Sequence, residues 1–203
     1  MILTEKDLLE KGFYNVCGVD EVGRGPLAGP VVAAAVILKH DHNLVLKDSK
    51  KLTAKQRKIL LEEIKKAAIS ISVSFVPPEE IDRINILRAS REAMILAINN
   101  LKVKADFALV DALDLNNYLE IPSLGIIKGD DLIVSIQAAA IVAKETRDDY
   151  MKLMDKYYPE YGFKYHMGYP TKKHLEAIDK HGITKIHRKS FNPIKRMIEE
   201  GIL

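Results

Sequence analysis

The feature that most constrains this chain is an uninterrupted apolar run from Pro30 to Leu38, preceded by a glycine- and proline-rich turn and a second β-rich run, Val16 to Val19. The longer run is strand-sized and far short of the roughly 18 apolar residues a membrane-spanning helix needs. Two such runs separated by Gly and Pro are expected to pair as a hairpin, with Val31 to Leu38 as a buried strand. Downstream, Thr53 is placed to cap a helix reaching about Ala68, with Ile59, Leu60, Ile64 and Ala67 on one face. Ile69 to Val76 alternates apolar residues with serine, as a strand with one covered face would, and Pro77-Pro78 ends it. Helical signals run from Glu79 to Leu101 with room for a break at Asn85. Short strand-like runs, Phe107 to Val110 and Leu124 to Ile127, precede a long helix from about Ser135 to Tyr157 and a shorter one from about Thr171 to Lys180. Strands first, then strands alternating with helices, predict an α/β fold: a mixed sheet flanked by helices. A boundary is placed near Tyr158, dividing residues 1–157 from a helical, basic C-terminal extension, 158–203.

Composition closes off several classes. The 203 residues, 47% hydrophobic and 29% charged, suit a globular domain with a substantial core. Glu5, Lys6, Asp7 and Glu10 interrupt any apolar leader, so a cytoplasmic, non-membrane protein is expected. The single cysteine, Cys17, excludes an intramolecular disulfide and lies in an apolar run, where it reads as a small buried hydrophobe. A net charge of +3 is compatible with a polyanionic partner without identifying one.

Carboxylates stand at the ends of three strand-like segments. Asp20 and Glu21 follow Val16 to Val19, Asp111 follows Phe107 to Val110, and Asp130 comes just past Gly125 to Ile127. Buried carboxylates need cationic partners or a metal. Hard divalent cations select such oxygen donors, and a pair of them can activate water and stabilise the leaving oxygen of a phosphodiester. Asp114 beside Asp111 and Asp131 beside Asp130 leave the choice of ligand open at this level, and any single strand-end acid is as readily a solvated turn residue. The histidines, His166, His174, His181 and His187 among them, show no zinc-motif spacing and read as surface or structural groups.

The stretch Asp20-Glu21-Val22-Gly23-Arg24-Gly25-Pro26 is more specific. Together with Asp48-Ser49-Lys50-Lys51-Leu52, Leu109-Val110-Asp111, Lys128-Gly129-Asp130, Ala143-Lys144-Glu145-Thr146-Arg147-Asp148, His166-Met167-Gly168-Tyr169-Pro170 and His187-Arg188-Lys189-Ser190-Phe191, it resembles ribonuclease HII across most of the chain and in the family's order. That resemblance implies an RNase H-like fold with a helical C-terminal extension contributing to substrate binding. It implies hydrolysis of RNA in RNA–DNA hybrids and incision 5′ of ribonucleotides embedded in duplex DNA, with Mg²⁺ or Mn²⁺ as cofactor. By position in the motifs, Asp20, Glu21, Asp111 and Asp130 are the implied metal ligands. Gly23, Arg24 and Gly25 are implied to read the 2′-hydroxyl through the backbone, and Tyr169 to stack on the neighbouring sugar. Lys50, Lys144, Arg147 and Arg188 are candidates for phosphate contacts, whereas Lys51, Lys55 and Lys58 read as a solvated face. A monomer is expected, and no sliding-clamp motif is evident in the C-terminal residues.

Three positions depart from the family pattern: Ala112 where glycine is usual, Met167 where lysine is common, and Ala140 where serine is common. The related ribonuclease HIII branch has threonine in the glycine loop and an additional N-terminal domain. Arg24 and the 19 residues before Asp20 speak against it. A catalytically silent duplex-binding module is disfavoured by the four intact carboxylates, and a Mg²⁺-dependent sugar-phosphate hydrolase would have no use for the loop and tyrosine.

Overall fold

The computed structural model describes residues 3–46 and 53–203; Lys50, with the rest of its motif, lies outside them. Strands β1 (Val16–Val22), β2 (Val31–Leu38), β3 (Ala68–Val76), β4 (Phe107–Asp111) and β5 (Ser123–Ile126) form one sheet in the order β3-β2-β1-β4-β5. β1 and β2 are the antiparallel hairpin expected from sequence, with Asp20 opposite Ala34. β4 runs parallel to β1, and β5 parallel to β4, which makes the sheet mixed.

Every residue of β2 is buried because both faces of this strand are covered. Val31, Ala33, Ala35 and Ile37 point into a core shared with helix α4 (Ile86–Asn99). Ala34, Val36 and Leu38 point the other way, toward α2 (Ala54–Ala67) and α6 (Val134–Tyr157), as the two-residue strand period requires. Alanines in the middle of the strand let helices approach from both sides. Closest is α6 to β1, where a Cβ on Gly18 would lie 2.1 Å from the backbone carbon of Ser135. Cys17 is fully buried in the first core, and burial pushes its thiol up to about 12.

Local signals explain most helix ends. Thr53 caps α2 in a reciprocal box with Gln56, and beyond α3 (Pro78–Ile84) the Asn85 side chain accepts from the amides of Leu87 and Arg88 at the start of α4. A similar box, Thr4 with Asp7, starts α1 (Glu5–Glu10), a helix the apolar pattern is too short to reveal. Two expectations are corrected. Ile59 is exposed, because the buried side of α2 turns on Ile64 with Leu60 and Leu61. In β3 the buried residues include Ser70, Ser72 and Ser74, while Ile69 and Phe75 face outward; Ser74 donates to the carbonyl of Ala93, so small polar side chains let α4 pack closely.

Beyond the end of α6 the chain forms three short helices, α7 (Phe163–His166), α8 (Lys172–His181) and α9 (Ile194–Glu199). Their core is not separate from the rest: Tyr161, Phe163, Ile178 and Ile194 pack with Met151 of α6 and with Leu27 and Ala28 of the turn between β1 and β2.

Candidate active site

Parallel pairing of β1 with β4 brings their C-terminal ends together, and Asp20, Glu21 and Asp111 therefore converge at one end of the sheet. Asp130 joins them from the short helix α5 (Gly129–Leu132) that follows β5. The amide of Gly129, at the start of this helix, donates to Asp111 Oδ1 at 2.8 Å, and Asp20 Oδ1 accepts from the Glu21 amide at 2.7 Å.

The electrostatics of this cluster are those of crowded anions. Burial, then the charges of Glu21, Asp111 and Asp130, hold the Asp20 carboxyl well above the usual carboxylate range. Burial also raises Glu21; Asp111 pushes it further up, while Arg24, 3.4 Å from its carboxylate, pulls the other way. Among the described residues no three acidic, histidine or cysteine side chains are already closed into a metal-ligating cluster. The donors nevertheless fit a hard divalent cation: all are carboxylate oxygens, and their shared charge is of the kind a cation would relieve.

Asp20, Glu21 and Asp130 line an open cleft of about 390 Å³ with Lys144, Tyr169 and a residue that the sequence did not single out, Arg57. Arg57 Nε is 2.6 Å from Glu145 Oε1, and Lys144 Nζ is 2.7 Å from Asp148 Oδ1. Both carboxylates are buried on α6. Nothing local marks Arg57, because its partners are 88 and 91 positions away. Ala140 lines the same cleft.

The glycine loop rises beside the carboxylates. A Cβ on Gly23, whose φ is +98°, would overlap Arg147 Nε at 2.3 Å, so only glycine fits. Gly25 faces the Tyr169 ring, whose Cε1 would be 3.5 Å from a Cβ there. Tyr169 is 41% exposed, and the carbonyl of Gly168 just before it accepts from the Leu27 amide at 2.8 Å. Thus the predicted loop and tyrosine are adjacent.

Arg147 and Arg188 require a correction. Both are fully buried and cannot present their guanidinium groups to phosphate. Arg147 instead donates to the carbonyls of Pro30, Met167 and Ala28, and Arg188 to those of Gly23, Arg24 and Gly29. Burial lowers the Arg188 guanidinium to about 9, with Arg147 adding to the effect, so it stays charged at neutral pH.

A histidine relay supports the other side. The Thr184 amide donates to His187 Nδ1 at 2.9 Å. His187 Nε2 is therefore the protonated nitrogen and donates to His174 Nε2 at 3.1 Å. That leaves His174 Nδ1–H to donate to the Tyr169 carbonyl at 2.9 Å. Burial keeps both imidazoles neutral, lowering His174 to about 4 and His187 to about 3.

Comparison with known proteins agrees with these motifs. The family model described as Ribonuclease HII matches residues 17–194. The chain is 52% identical over 197 residues to ribonuclease HII of Acholeplasma laidlawii, covering 97% of this chain and 96% of that protein. It is equally identical to the Bacillus mycoides protein, of which 76% is covered. Among solved structures, ribonuclease H2 from Pyrococcus horikoshii superposes with a TM-score of 0.77 at 28% identity, covering 93% of this chain and 98% of the other. The RNase HII in a PCNA complex from Archaeoglobus fulgidus superposes at 0.76 and 27% identity, with 88% and 95% covered. With its carboxylate cluster, glycine loop and tyrosine on one face, the chain belongs to the ribonuclease HII family, hydrolases that cut the RNA strand of RNA–DNA hybrids.

Proposed function

We propose that this protein also incises duplex DNA on the 5′ side of embedded ribonucleotides, leaving 5′-phosphate and 3′-hydroxyl ends, with two Mg²⁺ or Mn²⁺ ions held by Asp20, Glu21, Asp111 and Asp130. The observation that carries the reading is the adjacency of this acidic cluster to the Gly23–Gly25 loop and Tyr169. When bound, such ions make water a nucleophile at neutral pH and stabilise the departing oxygen.

The chain's own groups supply selectivity and orientation. RNA differs from DNA at one nucleotide only by the 2′-hydroxyl, which has to be met by close-approaching polar groups. A glycine loop permits that approach with backbone atoms. The exposed Tyr169 ring against Gly25 offers a flat surface for the adjoining sugar. Lys144, held by Asp148, faces the cleft where a backbone phosphate would pass. The segment 158–203, packed onto the loop through Leu27 and Ala28, extends the duplex-binding face.

Cleavage of a DNA duplex containing one ribonucleotide, with Mg²⁺ or with chelator, tests this directly. A metal-dependent cut 5′ of the ribonucleotide is expected. Efficient cutting of long hybrids without cutting at the single ribonucleotide would remove the junction-reading role, and no cleavage of either would remove the activity. Asp20→Asn should lower turnover by at least a thousandfold while duplex affinity stays within about threefold; normal turnover would show that Asp20 is no ligand.

A further inference from the structure

Two cations, Arg147 and Arg188, lie buried beneath the glycine loop with no carboxylate in salt-bridge contact among the described residues. Backbone carbonyls supply the compensation. Arg188 spans three of them: Nη2 to Gly23 O at 2.6 Å, Nη1 to Arg24 O at 3.1 Å, and Nε to Gly29 O at 3.0 Å. The segment carrying it is itself bonded to the turn, with the Arg188 amide on Leu27 O and the Gly29 amide on Ile186 O, each at 2.8 Å.

Peptide geometry gives this arrangement a direction. In a planar trans peptide the C=O and the following N–H point opposite ways. Drawing the Gly23 carbonyl inward turns the Arg24 amide outward, and drawing the Arg24 carbonyl inward does the same for Gly25. Neither amide has a protein acceptor among the described residues, and a Cβ on Gly25 would lie 3.5 Å from the Tyr169 ring, which sets this end of the loop beside the tyrosine. We propose that Arg188 is a positioning residue that fixes the polarity of the loop, presenting the Arg24 and Gly25 amides as paired donors to the 2′-oxygen of the recognised ribose. The inference rests on the proposed role of the loop in ribose reading and adds what sets its donor direction. Arg24 contributes through its backbone here; its side chain is turned to Glu21.

Arg188→Lys keeps a cation but replaces the planar fork with a point donor that cannot span all three carbonyls. The experiment compares single-turnover cleavage at one ribonucleotide with cleavage at its 2′-fluoro counterpart, which is a poorer acceptor, for wild type and Arg188→Lys. Rates are referred to enzyme shown folded by circular dichroism and metal-competent by Mn²⁺ titration. The preference for hydroxyl over fluorine should fall by about five- to tenfold, the scale of one hydrogen bond. An equal loss on both substrates, leaving the preference unchanged, would assign Arg188 to stability alone and overturn the proposal. Should the variant not fold, amide exchange of the wild type decides: the Arg24 and Gly25 amides should exchange freely while those of Leu27 and Gly29 are protected. Protection at Arg24 and Gly25 overturns the donor geometry. Absence of wild-type cleavage at the ribonucleotide would instead sink the reading of function, leaving the exchange result to judge the loop's polarity alone.

Discussion

The Asp20 carboxyl is buried among three acidic neighbours, so its ionisation opposes folding whenever no cation is bound. Its folded-state proton affinity lies above the unfolded value. The group therefore costs stability increasingly as pH rises above the ordinary carboxylate range, until the folded-state carboxyl has itself ionised. Asp20→Asn should accordingly melt about 2–4 °C above wild type in chelator at pH 7.5, a gain on the order of 1 kcal/mol. Calorimetry checks it, and Mg²⁺ should narrow the gap by stabilising wild type. A second residue-scale effect is at Ala112, where φ is +56° and the Leu113 amide bonds back to the Asp111 carbonyl at 2.6 Å. Alanine is strained in this tight turn and glycine is not. Ala112→Gly should stabilise by about 1 kcal/mol in urea unfolding, and a loss of stability would show that the turn carries no strain. The departure from glycine was visible in the sequence, and so were the strand-end acids, because each closes an apolar run. The burial of Arg147 and Arg188 was not, since arginine beside a motif reads alike whether it faces phosphate or a carbonyl.

At the scale of elements, the position of α6 depends on Gly18. The helix crosses β1 so closely that any side chain there meets backbone, and backbone cannot rotate aside. Gly18→Ala should cost about 3 kcal/mol, at the upper end for overpacking, read as a lower denaturant midpoint. An unchanged midpoint would mean that the helix can lift off the sheet. Since α6 also carries Glu145 and Asp148, the ionic contacts that hold Arg57 and Lys144 should loosen with it. Elements with strong local signals were legible: the hairpin from its two apolar runs, α2 from Thr53, and the break before α4 from Asn85. The serine face of β3 was not, because burial there is set by α4 packing across the sheet, which an alternating pattern of apolar and small polar residues does not reveal.

Over the whole molecule, the C-terminal segment and the glycine loop behave as one unit, joined by Arg188 and steadied by the neutral pair His174 and His187. Because both imidazoles have lowered folded-state values, their contribution to stability is complete above about pH 6.5. It is lost as pH falls toward about 4 for His174 and about 3 for His187, at up to about 1.4 kcal/mol per pH unit for each. The raised carboxyls work in the opposite sense. Urea unfolding of the Asp20→Asn/Glu21→Gln double variant, which removes both raised carboxyls, should therefore show a clear fall between pH 7 and 5, and a flat profile would contradict a neutral pair. The pairing of the loop with Arg188 joins residues 164 and 165 positions apart. During synthesis the four carboxylates leave the ribosome long before Arg188 does. On the reading proposed above, a nascent chain would hold its metal-binding carboxylates well before the arginine that orients the ribose-reading loop.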